Sequence, residues 1–162
     1  MRHVPHSTQP SALPWVLRAR LCMWGRNRQL AEQYLASAPI ASGQYPRAQQ
    51  MLLIAAERER LLPDQVDLLT GGLGSDRSSP RGRTFFYQMH AELFSFYGNL
   101  ELAVRGVARA VDAGLADLSW IERCPLIVAL NADPHMPQLR RVVYERAIAV
   151  RSMELRIPPS SA

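Results

Sequence analysis

The feature that most constrains this chain is the stretch from Arg83 to Ala116, where apolar residues recur at helical spacing on both sides of a Gly98-Asn99 break. Such a pattern predicts two antiparallel helices joined by a tight turn. Tyr87, Ala91, Phe94 and Gly98 share one face of the first helix, whereas Phe85, Gln88, Glu92 and Phe96 share another. A surface helix needs a single apolar stripe, so the second aromatic face is expected either to be covered by another helix or to stay open for a partner. Asn99 can cap the second helix through its side-chain oxygen, and Glu101 suits the positive end of its dipole. That helix is expected from Leu100 to Ala113. Ala103, Gly106 and Ala110 permit a close neighbour, Leu102, Val104, Val107 and Val111 fill the spaces between, and Gly114 supplies the C-terminal stop.

Tyr87, Ala91 and Phe94, followed by Ala103, Val107 and Ala110, resemble the tetratricopeptide repeat, a helix-turn-helix unit of about 34 residues. In that family small residues sit where the two helices cross, here Ala91 and Ala103, and a large residue, here Phe94, wedges between them. His90 departs from the pattern, standing where the family prefers Leu, and Leu115 stands near the position of a frequent closing Pro. The resemblance implies an all-α, right-handed α-solenoid of about seven or eight helices.

The spacing Trp15, Ala19, Ala31, Leu35 repeats that of Tyr87, Ala91, Ala103, Val107 at an offset of 72 residues. The first helix of this earlier pair is expected from Ser11 through Cys22 and Met23 to Gly25, and the second from Asn27 to Pro39. The offset slightly exceeds two repeat lengths, so a degenerate unit is expected between the pairs, with a long helix over Gln44 to Leu62 and a short one after Pro63-Asp64. TGGLGSDRSSPRG then reads as a linker; its glycines lack the Gly-Lys-Ser/Thr ending of a phosphate loop, and Arg77, Arg81 and Arg83 are expected on its surface. Beyond Gly114, Trp120 is expected to close off the helix pair, Pro125 to start a short helix ending near Asn131, and Asp133-Pro134 to open the last one. Leu139, Val142, Val143, Ala147 and Val150 form its apolar stripe. The expected organisation is a disordered lead over residues 1–10, one helical domain over 11–151 and a frayed tail over 152–162.

A chain of 162 residues that is 48% hydrophobic is large enough to bury a core, and no apolar run approaches the ~18 residues of a spanning helix. Pro5, Pro10, Pro14, Arg18 and Arg20 interrupt what a signal peptide would need, so a cytoplasmic location is expected. All nineteen basic residues are Arg, but they are interleaved with acids, as in Glu57-Arg58-Glu59-Arg60, and form no dense run, so nucleic acid is not the expected partner. His3 and His6 have no further ligands nearby, and Cys22 and Cys124 read as buried free thiols. No cofactor is expected. His90 and Glu92 are two apart and point to different helix faces, and no Ser or Cys stands in a motif with a His and an acid, so no enzyme is expected.

The segment from Arg83 to Arg151, with its Gly114-Leu115 pair, Trp120, Cys124-Pro125, Asp133-Pro134 and closing helix, is similar to the tetratricopeptide-like regions that follow the catalytic domains of bacterial serine/threonine kinases and class III adenylate cyclases. The kinase motifs themselves are missing. The resemblance implies a regulatory or scaffolding role in signalling, with a protein or peptide partner, such as a kinase or cyclase domain, on the concave face. First helices supply that face in such repeats. The expected site is therefore Phe85, Gln88, Met89, Glu92 and Phe96, with Arg20, Met23 and Trp24 from the earlier pair. The alternative is a small-molecule sensor; a closed aromatic pocket would favour that reading, and an open groove with arginines would favour a peptide.

Overall fold

The computed structural model describes residues 13–37 and 79–154. The N-terminal lead, the pair His3 and His6, the expected middle unit, Arg77 and the end of the tail lie outside the described residues. Every regular element among the described residues is an α-helix, with no strand: α1 (Leu13–Trp24), α2 (Arg28–Ala36), α3 (Pro80–Phe96), α4 (Leu100–Asp112), α5 (Leu118–Arg123), α6 (Pro125–Val128) and α7 (Met136–Glu154). The chain divides into two compact units, Met1–Arg58 and Glu59–Ala162.

In the first unit α1 and α2 pair through Val16, Ala19, Met23 and Ala31, each at most 2% exposed. The buried face of α1 is completed by Arg20, whose guanidinium lies 5.3 Å from the Trp24 ring centre. Cys22, expected to be buried, is only half-buried, as is Trp15. The turn to α2 satisfies the end of α1 with two bonds, Asn27 N–H to Cys22 C=O and Arg26 N–H to Met23 C=O, and the Asn27 side chain then accepts from Leu30 N–H.

The second unit closes its main hairpin in the same way, 72 residues further along. Asn99 N–H bonds Phe94 C=O, Gly98 N–H bonds Ser95 C=O, and the Asn99 side chain accepts from Leu102 N–H at 3.2 Å. The left-handed residue is Gly98 here (φ 77°) but Arg26 in the first hairpin (φ 55°). A side chain in that region costs about 1–2 kcal/mol, partly offset by the larger unfolded-state entropy of Gly. Arg26→Gly is therefore expected to stabilise the first unit by about 0.5–1 kcal/mol, measured by urea unfolding. A destabilised variant would mean that the arginine's contacts outweigh its backbone strain.

α3 begins earlier than the Gly- and Ser-rich run suggested. Ser79 accepts from Gly82 N–H at 3.1 Å and Pro80 occupies the first turn, so the end of the expected linker is helical. Thr84 bonds Ala113 C=O at 3.3 Å, holding the start of α3 beside the end of α4. Ala91, Phe94, Ala103, Val107 and Ala110 are fully buried at this hairpin. The closest approach is at Gly106: a Cβ there would lie 2.9 Å from Ala91 N and 3.0 Å from Ala91 Cα. Ala91 thus meets the backbone of Gly106, and Ala103, its expected partner, is fully buried in the same hairpin.

α5 was not expected as a helix. Asp117 caps it by accepting from Trp120 N–H at 2.9 Å, and α5 packs on α6 and α7. α6 ends at Val128, earlier than expected, and α7 starts at Met136, two residues after Pro134, with the Asp133 carboxylate accepting from His135 N–H at 2.9 Å. Hydrogen bonding from His135 holds the Asp133 carboxyl below its usual range. α7 continues through Ser152 and Met153, which had been placed in the frayed tail. Of its expected stripe only Val143 is fully buried; Val150 is 49% exposed, and Met136 takes the other core position.

Candidate functional site

The residues nominated on α3 lie mostly inside the second unit. Gln88, Met89 and Glu92 are buried, within an uninterrupted buried run from Gln88 to Ser95, whereas Phe85 and Phe96 are half-buried. Trp120 Nε1 donates to Glu92 Oε1, and Ser95 Oγ donates to Leu126 C=O. The second face of α3 is therefore covered by the chain that follows the hairpin, through α5 and α6. Burying a carboxylate requires such a donor, since an unpaired buried polar group costs about 1–3 kcal/mol. Phe85 packs edge-on against Phe86 at 6.2 Å, and Phe96 against Tyr97 at 5.4 Å. In the first unit, Arg20 and Met23 are buried and Trp24 is half-buried beneath the Arg20 guanidinium.

His90 is also interior, only 1% exposed, with neither ring nitrogen hydrogen-bonded. Its ring meets Phe94 edge-on at 4.5 Å, and its Nδ1 would lie 2.9 Å from a Cβ at position 106. Burial, reinforced by Arg109 and Arg105, pushes its pKa down to about 4. Neither cysteine forms a disulfide; Cys22 is half-buried, with its pKa raised by burial, and Cys124 is buried. Among the described residues no three His, Cys, Asp or Glu side chains cluster as metal ligands do, and no helix is long and apolar enough to cross a membrane.

An open concavity lies elsewhere in the second unit, between α4 and α7, with a volume of about 600 Å³. α4 contributes Glu101, Val104, Ala108 and Val111 at alternating spacings of three and four, and α7 contributes Leu139, Val142 and Arg146 in the same rhythm. Two helices presenting such ridges leave a groove, about 16 Å long from Glu101 to Asp112 at the helical rise of ~1.5 Å per residue. Its floor is aliphatic, with the small Ala108 near the middle; His135 stands on its border, and no Phe, Tyr or Trp lines it.

The rim is charged. Glu101, Asp112 and Asp133 supply carboxylates, and Arg105 and Arg146 supply guanidiniums. Both guanidiniums are engaged within the molecule. Arg105 pairs with Glu101 at 3.3 Å, and Arg146 donates to the Val111 carbonyl at the C-terminal end of α4, where the helix dipole favours a cation. Asp112 ends the same helix, so its carboxylate stands where the dipole is least favourable and a further cation would be welcome.

The spacing argument had assigned Val104 and Val111 to the helix pair itself. The overlooked signal was breadth: Ala103, Gly106, Val107 and Ala110 already complete the stripe facing α3, so Val104, Ala108 and Val111 extend the apolar arc beyond what one neighbour can cover. No family model matches the chain, and neither curated proteins nor solved structures match it.

Proposed function

We propose that the chain is a non-catalytic, tetratricopeptide-like interaction module of the right-handed solenoid type, which receives an amphipathic helix of a protein partner in the groove between α4 and α7. The observation that carries this reading is the groove: two parallel rows of aliphatic side chains with a charged rim suit a helix whose anchors recur at i, i+3, i+4 and i+7. The repeat reading is supported by the two hairpins, whose turns use the same hydrogen bonds and whose small residues Ala19, Ala31, Ala91 and Ala103 are all at 0% exposure. A role beside a signalling kinase or cyclase domain belongs to the same reading, on the pattern of Trp120, Cys124-Pro125 and Asp133-Pro134. A small-molecule sensor is the second reading, favoured by a volume of about 600 Å³ within the range of ligand pockets. The open, charge-rimmed lining, without Phe, Tyr or Trp, favours the helix.

The probe is a labelled synthetic peptide of about 18 residues with Leu anchors at the four helical positions and Lys on its flanks, followed by fluorescence anisotropy. Saturable binding is expected, weakened about 30-fold or more by Ala108→Trp, which fills the floor. Binding that is absent, or indifferent to Ala108→Trp, overturns the reading. A small compound whose thermal stabilisation disappears in Ala108→Trp, with no peptide bound, would favour the sensor.

A further inference from the structure

We propose that the groove also takes a second copy of this chain, through the outward face of that copy's α7; the inference rests on the groove being a helix-receiving site. On α7, Tyr144 and Ile148 are 52% and 47% exposed, two large apolar side chains one turn apart. Helical periodicity sets them on the side of α7 away from Leu139, Val142 and Arg146, so a single molecule displays both a groove and an unpartnered ridge. Arg140, Arg141 and Arg151 flank that ridge; Arg140 donates to the Asn131 side chain and Arg141 pairs with Glu145 at 2.9 Å, so Arg151 is the cation of the ridge with neither engagement. The ridge is thus apolar with a basic border. The groove is aliphatic; on its rim Glu101 pairs with Arg105, Asp133 bonds His135 and Arg146 bonds Val111 C=O, which leaves the Asp112 carboxylate to meet a cation. The two surfaces are complementary in both hydrophobicity and charge.

Because ridge and groove are different surfaces, their pairing is heterologous and leaves one of each free at the ends of every assembly. Association therefore proceeds head to tail.

The test is sedimentation velocity of the full chain from about 1 to about 100 μM. The parent is expected to sediment faster with rising concentration. A ridge variant, Tyr144→Glu with Ile148→Glu, and a groove variant, Asp112→Arg, are both expected to remain monomeric over the same range. All three positions are exposed, so folding is preserved, which circular dichroism checks. An equimolar mixture of the two variants keeps one intact ridge and one intact groove, and is expected to yield a dimer and nothing larger. A parent that stays monomeric, association that survives both variants, or a mixture that remains monomeric each overturns the proposal. The peptide titration is run on the ridge variant, whose groove is intact. A monomeric parent together with peptide binding refutes self-association alone, whereas loss of peptide binding removes the helix-receiving groove itself.

Discussion

Replacing His90 with Leu is expected to raise the melting temperature at neutral pH and to remove most of the acid sensitivity of the second unit. His90 is 1% exposed and both ring nitrogens lack a partner, so the folded state bears the desolvation of two polar atoms that water satisfies in the unfolded chain. Each such atom costs about 1–3 kcal/mol, and Leu, of similar volume, removes both. The pH dependence follows from the same burial. The folded-state pKa is about 4 against an ordinary 6.5, so between these values the unfolded chain binds the proton more tightly. The stability contributed by neutral His90 is complete above pH 6.5, falls as pH drops through the window, and stops changing below about 4, where both states are protonated. The full difference corresponds to about 3 kcal/mol at ~1.4 kcal/mol per pKa unit. Arg105 and Arg109 on α4 oppose protonation in the same direction, so Arg109→Gln should narrow the window slightly. Urea unfolding of parent and His90→Leu at a series of pH values measures all of this. Parallel curves between pH 6.5 and 4 would show that the ring is not the acid-sensitive group.

How much of this architecture the sequence declared depends on whether each signal was local. The two hairpins were legible because their turns are written in a few adjacent residues: Gly98 adopts a positive φ, Asn27 and Asn99 cap the following helices, and Gly114 ends α4. The small residues Ala19, Ala31, Ala91 and Ala103 marked tight packing, and all four are at 0% exposure. The first turn of α3 was hidden because Ser79-Pro80, a good helix start, sits at the end of a Gly- and Ser-rich run that also reads as linker. α5 is six residues long, too short to display a period, and only Asp117 announced it. The interior position of Gln88, Glu92 and Ser95 was not legible at all. Polar side chains at helical spacing look like a solvated or partner-binding face until a distant donor or acceptor is found. Here the partners lie 28 residues away for Glu92 and 31 for Ser95, in α5 and α6. The groove depends on how α4 and α7 are set side by side, and sequence spacing can only show that α4 carries more apolar surface than α3 can cover.

Gly106→Ala is expected to destabilise the second unit, against the usual direction of a glycine-to-alanine change inside a helix. Alanine is favoured over glycine by about 1 kcal/mol in a helix interior, and Gly106 lies in the middle of α4 with ordinary helical geometry. The new methyl carbon, however, would stand 2.9 Å from Ala91 N, 2.9 Å from His90 Nδ1 and 3.0 Å from Ala91 Cα. Two of these atoms are backbone and cannot rotate away, and the third belongs to a ring packed against Phe94. Relief therefore requires α3 and α4 to separate, and overpacking of a close-packed site costs typically 1–3 kcal/mol. Separation would also loosen Ala91, Ala103, Val107 and Ala110, all at 0% exposure, so the penalty exceeds the propensity gain. Ala91→Leu attacks the same crossing from the other helix and is expected to cost at least as much, because its larger side chain faces the same backbone. Gly25→Ala supplies the contrast: its methyl would have no neighbour nearer than 3.6 Å, so that substitution is expected to be neutral or mildly stabilising. Thermal melts of the three variants decide the matter. If Gly106→Ala gains stability as Gly25→Ala does, then α3 and α4 do not cross at Gly106 and Ala91, and the hairpin packs through other residues.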